Sequence, residues 1–405
     1  MMEVNPRLIF LIVFTLIIGT LMWKDRKNVE RVSILFFRRT KRGLNLIDRV
    51  AKKSPRFWSA YGWTGFAVGI VSVFVAAQQI GTSLLQIGSQ SGGASTGPKA
   101  VLPSLSSEAS MGGAALFIPI EYWLISIGVL MFVHEMSHGI IARSEDFELN
   151  SVGWMVMGII PGAFVEPKGE KMLPSEEDEA DKKPENEDEG ESHGVWDQGN
   201  WKSRVKVLSA GSFANYITAA IFLIVLTGLT AATTSVTGIY YQADEGYPAA
   251  EAGMTNGTLY GINNQSVRSL QDMQSATAGL QPGEHAVMNT SEGVYNVTST
   301  SQEDFEGGYI GLRFAPNPVT EYKARYSGYA GFLGWLTGLI QMTAVLNIGI
   351  GLFNMLPAKP LDGGQIVSVF VEKFTGEGNL RYVNIWSIAV WALIISSFVY
   401  LIFLA

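Results

Sequence analysis

The stretch Leu130-Met131-Phe132-Val133-His134-Glu135-Met136-Ser137-His138-Gly139-Ile140-Ile141 decides how the rest of the chain is read. It closes an apolar run, about residues 116–141, long enough to cross ~30 Å of hydrocarbon as a helix. Two imidazoles four residues apart stand on one face of such a helix. In the pattern H-E-x-x-H both histidines ligate zinc, and the glutamate beside the first serves as general base. The competing reading, incidental polar residues in a helix, is the weaker one, because ionisable groups inside a span are costly and usually functional. The thirteen residues from Glu121, near the outer end, to His134 rise ~20 Å at 1.5 Å per residue. The motif is therefore expected in the inner half of a membrane.

Composition agrees. Of 405 residues 47% are hydrophobic and 16% charged, which is more apolar and less charged than ordinary soluble domains. Apolar runs at about residues 8–23, 64–85, 116–141, 205–229, 332–356 and 385–404 predict six spans. The first could be a cleaved signal peptide, but its positive charge follows it, at Lys24, Arg26 and Lys27, and an uncleaved anchor is the preferred reading. Residues 24–57 hold twelve Lys/Arg against three acids and are expected in the cytoplasm. Alternation then puts 86–115 and 230–328 outside, 142–204 and 357–384 inside, and both termini outside. The formal charge of −7 is local: residues 175–191 carry ten acids and two lysines, net −8, leaving about +1 elsewhere. Such a block of like charge is expected to be a solvated, disordered linker.

Residues 236–318 read as a small β-rich soluble domain, with short alternating segments at 257–262, 286–289 and 309–314 between Asn, Gly, Ser and Thr. Four N-x-S/T sequons, at Asn256, Asn264, Asn289 and Asn296, all fall within it, on the expected outer face. The expected fold class is thus a polytopic α-helical membrane protein of about six transmembrane helices with a small β-rich extracytoplasmic domain.

The absence of cysteine excludes disulfides, thiol nucleophiles, Fe–S clusters and cysteine–zinc sites. A metal must be held by histidine and carboxylate, and there are four histidines: His134, His138, His193 and His285. Catalytic zinc takes three protein ligands and keeps one position open. His193 lies in the acidic linker and His285 in the outer domain, so a carboxylate is sought. Asp362 stands out in Asn354-Met355-Leu356-Pro357-Ala358-Lys359-Pro360-Leu361-Asp362-Gly363-Gly364, directly after the fifth span. The prolines forbid a regular helix there, and broken backbone at membrane depth is tolerated where it is buried in protein or lines a watery cavity. Alone the stretch would read as a Pro/Gly turn; coupled to an intramembrane His pair on the same side, the ligand reading is favoured.

Together, His134-Glu135-Met136-Ser137-His138-Gly139 and Asn354…Pro357…Leu361-Asp362-Gly363-Gly364 resemble the site-2 proteases, a family of intramembrane zinc metalloproteases. Gly162-Ala163-Phe164-Val165-Glu166 and Ala210-Gly211-Ser212-Phe213-Ala214-Asn215 are similar to further family elements. Residues 246–267, with Ala249-Ala250, Gly253 and Asn263-Asn264, are similar to a run of PDZ domains, except that Thr258 stands where an acid is usual. The resemblance covers roughly residues 116–230 and 329–372 and says little about the first two spans.

It implies Zn2+ held by His134, His138 and Asp362, with Glu135 as catalytic base. It also implies substrate contact at Asn354, and a membrane-embedded hairpin over residues 152–165, carrying Gly162 and Phe164, that pairs with an unwound substrate. A seventh short hydrophobic segment is the other reading of that hairpin. The domains implied are an N-terminal two-span region (1–115), a first part of the catalytic core with acidic linker 172–195 (116–230), a PDZ-like domain (231–328), and a second part of the core (329–405). The function implied is intramembrane metalloendopeptidase acting on single-span substrates, in regulated proteolysis after a prior trimming cut. The chain would be multi-pass in the cell membrane, with the active site toward the cytoplasm and the PDZ-like domain outside.

A catalytically silent zinc-binding scaffold is the alternative, and the intact Glu135 speaks against it. Membrane di-iron oxygenases need roughly eight histidines, more than the four here. A transporter would show inverted repeats or paired broken helices, and no nucleic-acid partner is expected.

Overall fold

Asn5, whose side chain accepts the Arg7 N–H, and Pro6 in the first turn start helix α1 (Pro6–Lys24). The computed structural model describes residues 5–87, 100–112, 115–168, 199–303 and 305–403; the acidic linker expected at 172–195 lies outside them. The basic segment after α1 folds as a hairpin, β1 (Glu30–Val32) and β2 (Leu35–Thr40), followed by helix α2 (Arg42–Lys53). α2 turns Leu44, Ile47 and Ala51 to the core and leaves Arg49, Lys52 and Lys53 exposed, the pattern of an amphipathic helix.

Helix α3 (Pro55–Ile87) follows. β3 (Ala100–Ser104), β4 (Ser110–Gly112) and β5 (Ala115–Pro119) then form a three-stranded sheet in the order β3-β5-β4. β5 runs into α4 (Ile120–Ser144), which carries the His pair. The next strands, β6 (Leu149–Met157) and β7 (Ile160–Pro167), form an antiparallel hairpin with Val152 opposite Val165. A seventh hydrophobic segment is thereby excluded. β2 pairs along the other edge of β6, Phe36 opposite Val156 and Arg39 opposite Gly153, giving a four-stranded sheet in the order β1-β2-β6-β7.

α5 (Trp201–Thr233) leads into a β-rich stretch. Here β8 (Thr234–Ala243), the short helix α6 (Pro248–Glu251), β9 (Asn256–Ile262), β10 (Gln265–Ser266), helix α7 (Leu270–Thr277), β11 (His285–Thr290) and β12 (Gly293–Thr298) come in succession. β13 (Thr300–Gln302), β14 (Phe305–Tyr309) and β15 (Leu312–Tyr322) complete it. The main sheet has the order β12-β11-β9-β8-β15, with β10 on β9. Its core holds Ile239, Tyr241, Leu259, Ile262, Met288 and Val297. The single strand expected over 309–314 is divided at Gly311, whose φ of +77° belongs to a turn.

The last elements are α8 (Ala330–Asn354), α9 (Asp362–Thr375) and α10 (Leu380–Phe403). Six helical segments among the described residues are long and apolar enough to cross a membrane: Pro6–Lys24, Pro55–Gln79, Ile120–Ser144, Trp201–Thr233, Ala324–Asn354 and Glu377–Ser396. Each matches one of the six spans read from hydropathy. The chain divides into two compact units, Met1–Val225 with Gly338–Ala405, and Leu226–Thr337.

In the first unit one apolar core joins α2, α4, α5, α9 and the sheet, through Ile47, Ile141, Val165, Val207, Met355 and Ile366 among others. The proline-rich stretch after α8 folds back under the start of α9. A Cβ on Gly363 would lie 2.2 Å from the Met355 carbonyl oxygen, and one on Gly364 2.2 Å from the Ala358 carbonyl carbon, so neither position has room for a side chain. α10 braces the same loop, with Ser387 Oγ accepting the Lys359 N–H at 2.9 Å and Trp391 Nε1 donating to the Lys359 carbonyl at 2.8 Å.

Candidate metal centre

α4 buries His134 and His138 on one face, as their spacing demands, while the folded-back loop brings Asp362 to the same point. The two Nε2 atoms are 3.0 Å apart, and Asp362 Oδ2 is 3.3 Å from that of His134 and 3.5 Å from that of His138. A tetrahedral ion with bonds of about 2.0–2.1 Å has ligand–ligand edges of about 3.4 Å. The three separations fit that figure. Asp362 Oδ2 is buried and, despite these short approaches, makes no hydrogen bond, so its lone pairs remain available to a cation. His134, His138 and Asp362 are the one such cluster among the described residues.

The far side of each imidazole is held by α5. His138 Nδ1 is 2.8 Å from the Val207 carbonyl oxygen. A carbonyl can only accept, so the proton sits on Nδ1 and Nε2 keeps its lone pair for a metal. His134 Nδ1 faces the Asn215 side-chain amide, 3.2 Å from Nδ2, while Asn215 Oδ1 is buried without a partner. The amide orientation that satisfies both groups turns Oδ1 to the His134 Nδ1–H, which again frees Nε2. Between these contacts lies Gly211. A Cβ there would stand 2.4 Å from His138 Nε2 and 2.6 Å from His134 Cε1 and Nε2, so α5 passes the ligands with no side chain between.

Glu135 points to the sheet, where its Oε2 accepts the Val165 N–H at 3.3 Å. An N–H given to Glu135 is not given to β6. By the alternation of an antiparallel ladder, Val165 and Ala163 therefore present their backbone groups to the edge of β7 away from β6, and Gly162 and Phe164 present theirs to β6. No strand among the described residues covers that outer edge. Gly162 and Phe164 are the two residues expected to meet substrate. The Phe164 side chain is buried, edge-on to Phe37 at 6.5 Å, and a Cβ on Gly162 would meet Met155 and Met131. Neither faces an open edge.

Asn354 ends α8 with its Nδ2 3.4 Å from His134 Nε2, so the structure brings it beside the cluster. His285, on β11, is 2.9 Å from the Thr298 hydroxyl. His193 is outside the described residues. Asn215 received no role from the sequence, though a signal existed: Gly211 and Asn215 are four apart in an apolar span, hence on one face, and a buried amide in a span needs a partner.

The model of peptidase family M50 matches residues 122–397. An uncharacterized protein of Methanocaldococcus jannaschii is 26% identical over 372 residues, covering 88% of this chain and 85% of that protein. The regulator of sigma-W protease RasP of Bacillus subtilis is 26% identical over 221 residues, 43% of this chain and 51% of RasP. Zinc metalloprotease RasP of Bacillus licheniformis is 25% identical over 217 residues, 43% of this chain and 52% of that one.

Proposed function

The chain belongs to peptidase family M50, the site-2 proteases, and is a membrane zinc metalloprotease; from that premise we propose that it cuts substrates within or near their transmembrane helices, using His134, His138 and Asp362 to hold the zinc. The observation that carries the assignment is the fit of three buried donor atoms, 3.0–3.5 Å apart, to the edges of a tetrahedral zinc site. Zinc bound there supplies a Lewis acid and brings the pKa of a water toward neutrality.

The residues do the remaining work. Glu135 takes the proton of the attacking water and returns it to the leaving amine, as a general base and then acid. Asn354, whose Nδ2 lies 3.4 Å from His134 Nε2, would donate to the scissile carbonyl oxygen as negative charge develops on it. Val207 and the Asn215 amide hold the two imidazoles in the tautomer that a metal requires.

A helical substrate hides its carbonyls in its own hydrogen bonds, and unwinding it in hydrocarbon exposes groups that need partners. The outer edge of β7 offers them. A strand added there would use the backbone of Ala163 and would lie beside Glu135, which already takes the Val165 N–H. Affinity would come from main-chain pairing, so selection would rest on how readily a substrate unwinds.

The β-rich unit, Leu226–Thr337, is read as PDZ-like and extracytoplasmic, and its role as a gate against bulky ectodomains. Substrates would then need a trimming cut first, as in regulated intramembrane proteolysis. The helix carrying Ala249 and Ala250, and Gly253 at φ +86°, support the likeness. Deleting residues 238–316 tests the gate: cleavage of an untrimmed single-span protein should rise, and no rise would reject it. The protease reading itself is tested by mass spectrometry of products from a single-span protein in liposomes. A cut inside the apolar segment, abolished by chelation, is expected. Cuts confined to soluble flanks would overturn the intramembrane assignment.

A further inference from the structure

α3 precedes the matched family region, which begins at residue 122. It nevertheless touches the centre at three places, each one residue from a group of the site. Tyr61 Oη and Ser137 Oγ share a hydrogen bond at 3.0 Å, and Ser137 adjoins His138. Tyr216, which follows Asn215, donates its hydroxyl to Ser72 Oγ at 2.9 Å. Met355, which follows Asn354, brings its Cε to 2.7 Å from where a Cβ on Gly69 would be.

Small residues make these approaches possible. Gly62, Gly65, Gly69, Ser72 and Ala76 recur at alternating spacings of three and four residues, one seam along a helix. A Cβ on Gly62 would lie 2.9 Å from Lys206, and one on Gly65 3.1 Å from Phe213, both on α5. Helices in a membrane gain from such backbone approach, since lipid competes for any apolar contact. Tyr61 stands beside the seam, its ring edge-on to Phe213 with centroids 4.8 Å apart. Phe213 lies midway between Gly211 and Asn215.

We propose that α3 is a working part of the catalytic unit and that Tyr61 is a positioning residue, joining α4 at Ser137 to α5 at Phe213 at the level of the metal ligands. This rests on the protease reading above. Two hydrogen bonds cross from α4 to α5 at the centre, His138 with Val207 and His134 with Asn215, and both depend on the register of the two helices. Tyr61 bonds one helix and packs on the other, so it opposes a slide between them. Its hydrogen bond goes to Ser137 and its ring packs on Phe57, Trp58 and Phe213, so its loss should act on turnover and metal retention, and leave substrate affinity alone.

The test uses the full chain in detergent, with a labelled single-span helix of leucine and alanine interrupted by one Asn-Gly pair as the substrate probe. Two quantities are measured: kcat and KM on that probe, and the rate of zinc loss to excess EDTA. Tyr61→Phe keeps the ring stacking and removes the hydroxyl. It should lower kcat about threefold to tenfold, the range of one neutral hydrogen bond, with KM unchanged and zinc loss faster by a similar factor. Gly65→Val, which wedges α3 from Phe213, should exceed tenfold in both. Phe74→Ala, at a residue of α3 that is 71% exposed, should change neither. Wild-type kcat and zinc-loss rate in both Tyr61→Phe and Gly65→Val would overturn the proposal, as would a Tyr61→Phe effect falling on KM alone. If the wild-type chain leaves the probe uncut, the protease reading fails, and the zinc-loss rates still decide the role of Tyr61.

Discussion

Replacing Gly211 by alanine adds one carbon at the most crowded point of the metal centre. That carbon would stand 2.4 Å from His138 Nε2 and 2.6 Å from His134 Cε1 and Nε2, where ordinary contact begins at 3.4 Å. Something must therefore give by about 0.8–1 Å. α5 cannot yield alone, because Val207 and Asn215, on either side of Gly211, hold the same two rings. The rings must move apart from Asp362, whose Oδ2 now sits 3.3 and 3.5 Å from them. A zinc site tolerates about ±0.2 Å in its bonds, several times less than the shift required. We expect Gly211→Ala to lose at least about 100-fold in zinc affinity, or ~2.7 kcal/mol at 1.36 kcal/mol per tenfold. The assay is zinc content of the purified protein against a series of competing chelators, with thermal unfolding of the metal-free form as the control for folding. The variant metal-free protein should still unfold cooperatively, at a lower temperature than the wild type because the added carbon overpacks the site. A variant that retains one equivalent of zinc with wild-type affinity would refute the reasoning, since the Cβ would then have found room.

Four other outcomes are expected. Ala163→Pro removes an N–H from the outer edge of β7 and leaves the bonds to β6 in place, so it should raise KM about tenfold or abolish cleavage with zinc content unchanged; an unaltered KM would exclude pairing at that edge. Arg39→Ala leaves the buried Glu166 carboxylate with only Ser151 and Asn150 as partners, and should lower stability by about 1–3 kcal/mol, seen as faster amide exchange in β6 and β7. Asn215→Leu should weaken zinc binding about 10- to 100-fold, the usual scale for a residue that orients a ligand, measured by the same chelator series. In the β-rich unit the Arg268 N–H, then the Ser269 hydroxyl, hold the exposed Asp272 carboxyl below its ordinary value. A depressed carboxylate stabilises above its unfolded pKa, about 3.9, and that contribution fades as pH falls through the folded value. The Tm difference between the isolated wild-type chain and Asp272→Asn should therefore shrink steadily below about pH 4.

What was legible in the sequence was local or forced by scarcity. Apolar length fixed the spans, because a helix in hydrocarbon needs about twenty such residues. His134 and His138 are four residues apart, so their common face followed from spacing alone. Asp362 could be named because cysteine was absent and the other histidines were badly placed, and its loop was marked by Pro357, Pro360 and two glycines. What escaped depended on partners far away in the chain. β2 looked like a cationic connector, yet Arg38 and Arg39 are spent on Asp25, Glu30 and Glu166, and the strand they belong to closes the edge of β6. β3 and β4 sat in the stretch 86–115 that was only placed outside, and β5 at the start of the apolar run read as a span, because a parallel pair such as β3 and β5 leaves no turn signature. The orientation of β7 was hidden for a related reason: alternation tells that Phe164 and Val165 face opposite ways, and only the Val165 bond to Glu135 tells which way is out. The glycine seam of α3 was present in the sequence, but its period acquires meaning only with Phe213 and Met355 against it.

The most direct measurement is cleavage of a single-span protein in liposomes by the wild-type chain and by Glu135→Gln, with zinc content determined on the same preparations. The variant keeps the three donor atoms and loses only the base. Both proteins should carry one equivalent of zinc, and the variant should cut about 100-fold or more slowly, within the range for loss of a general base. Equal product from the two would contradict the account, because the centre built around Glu135 would then not be where the peptide bond is broken.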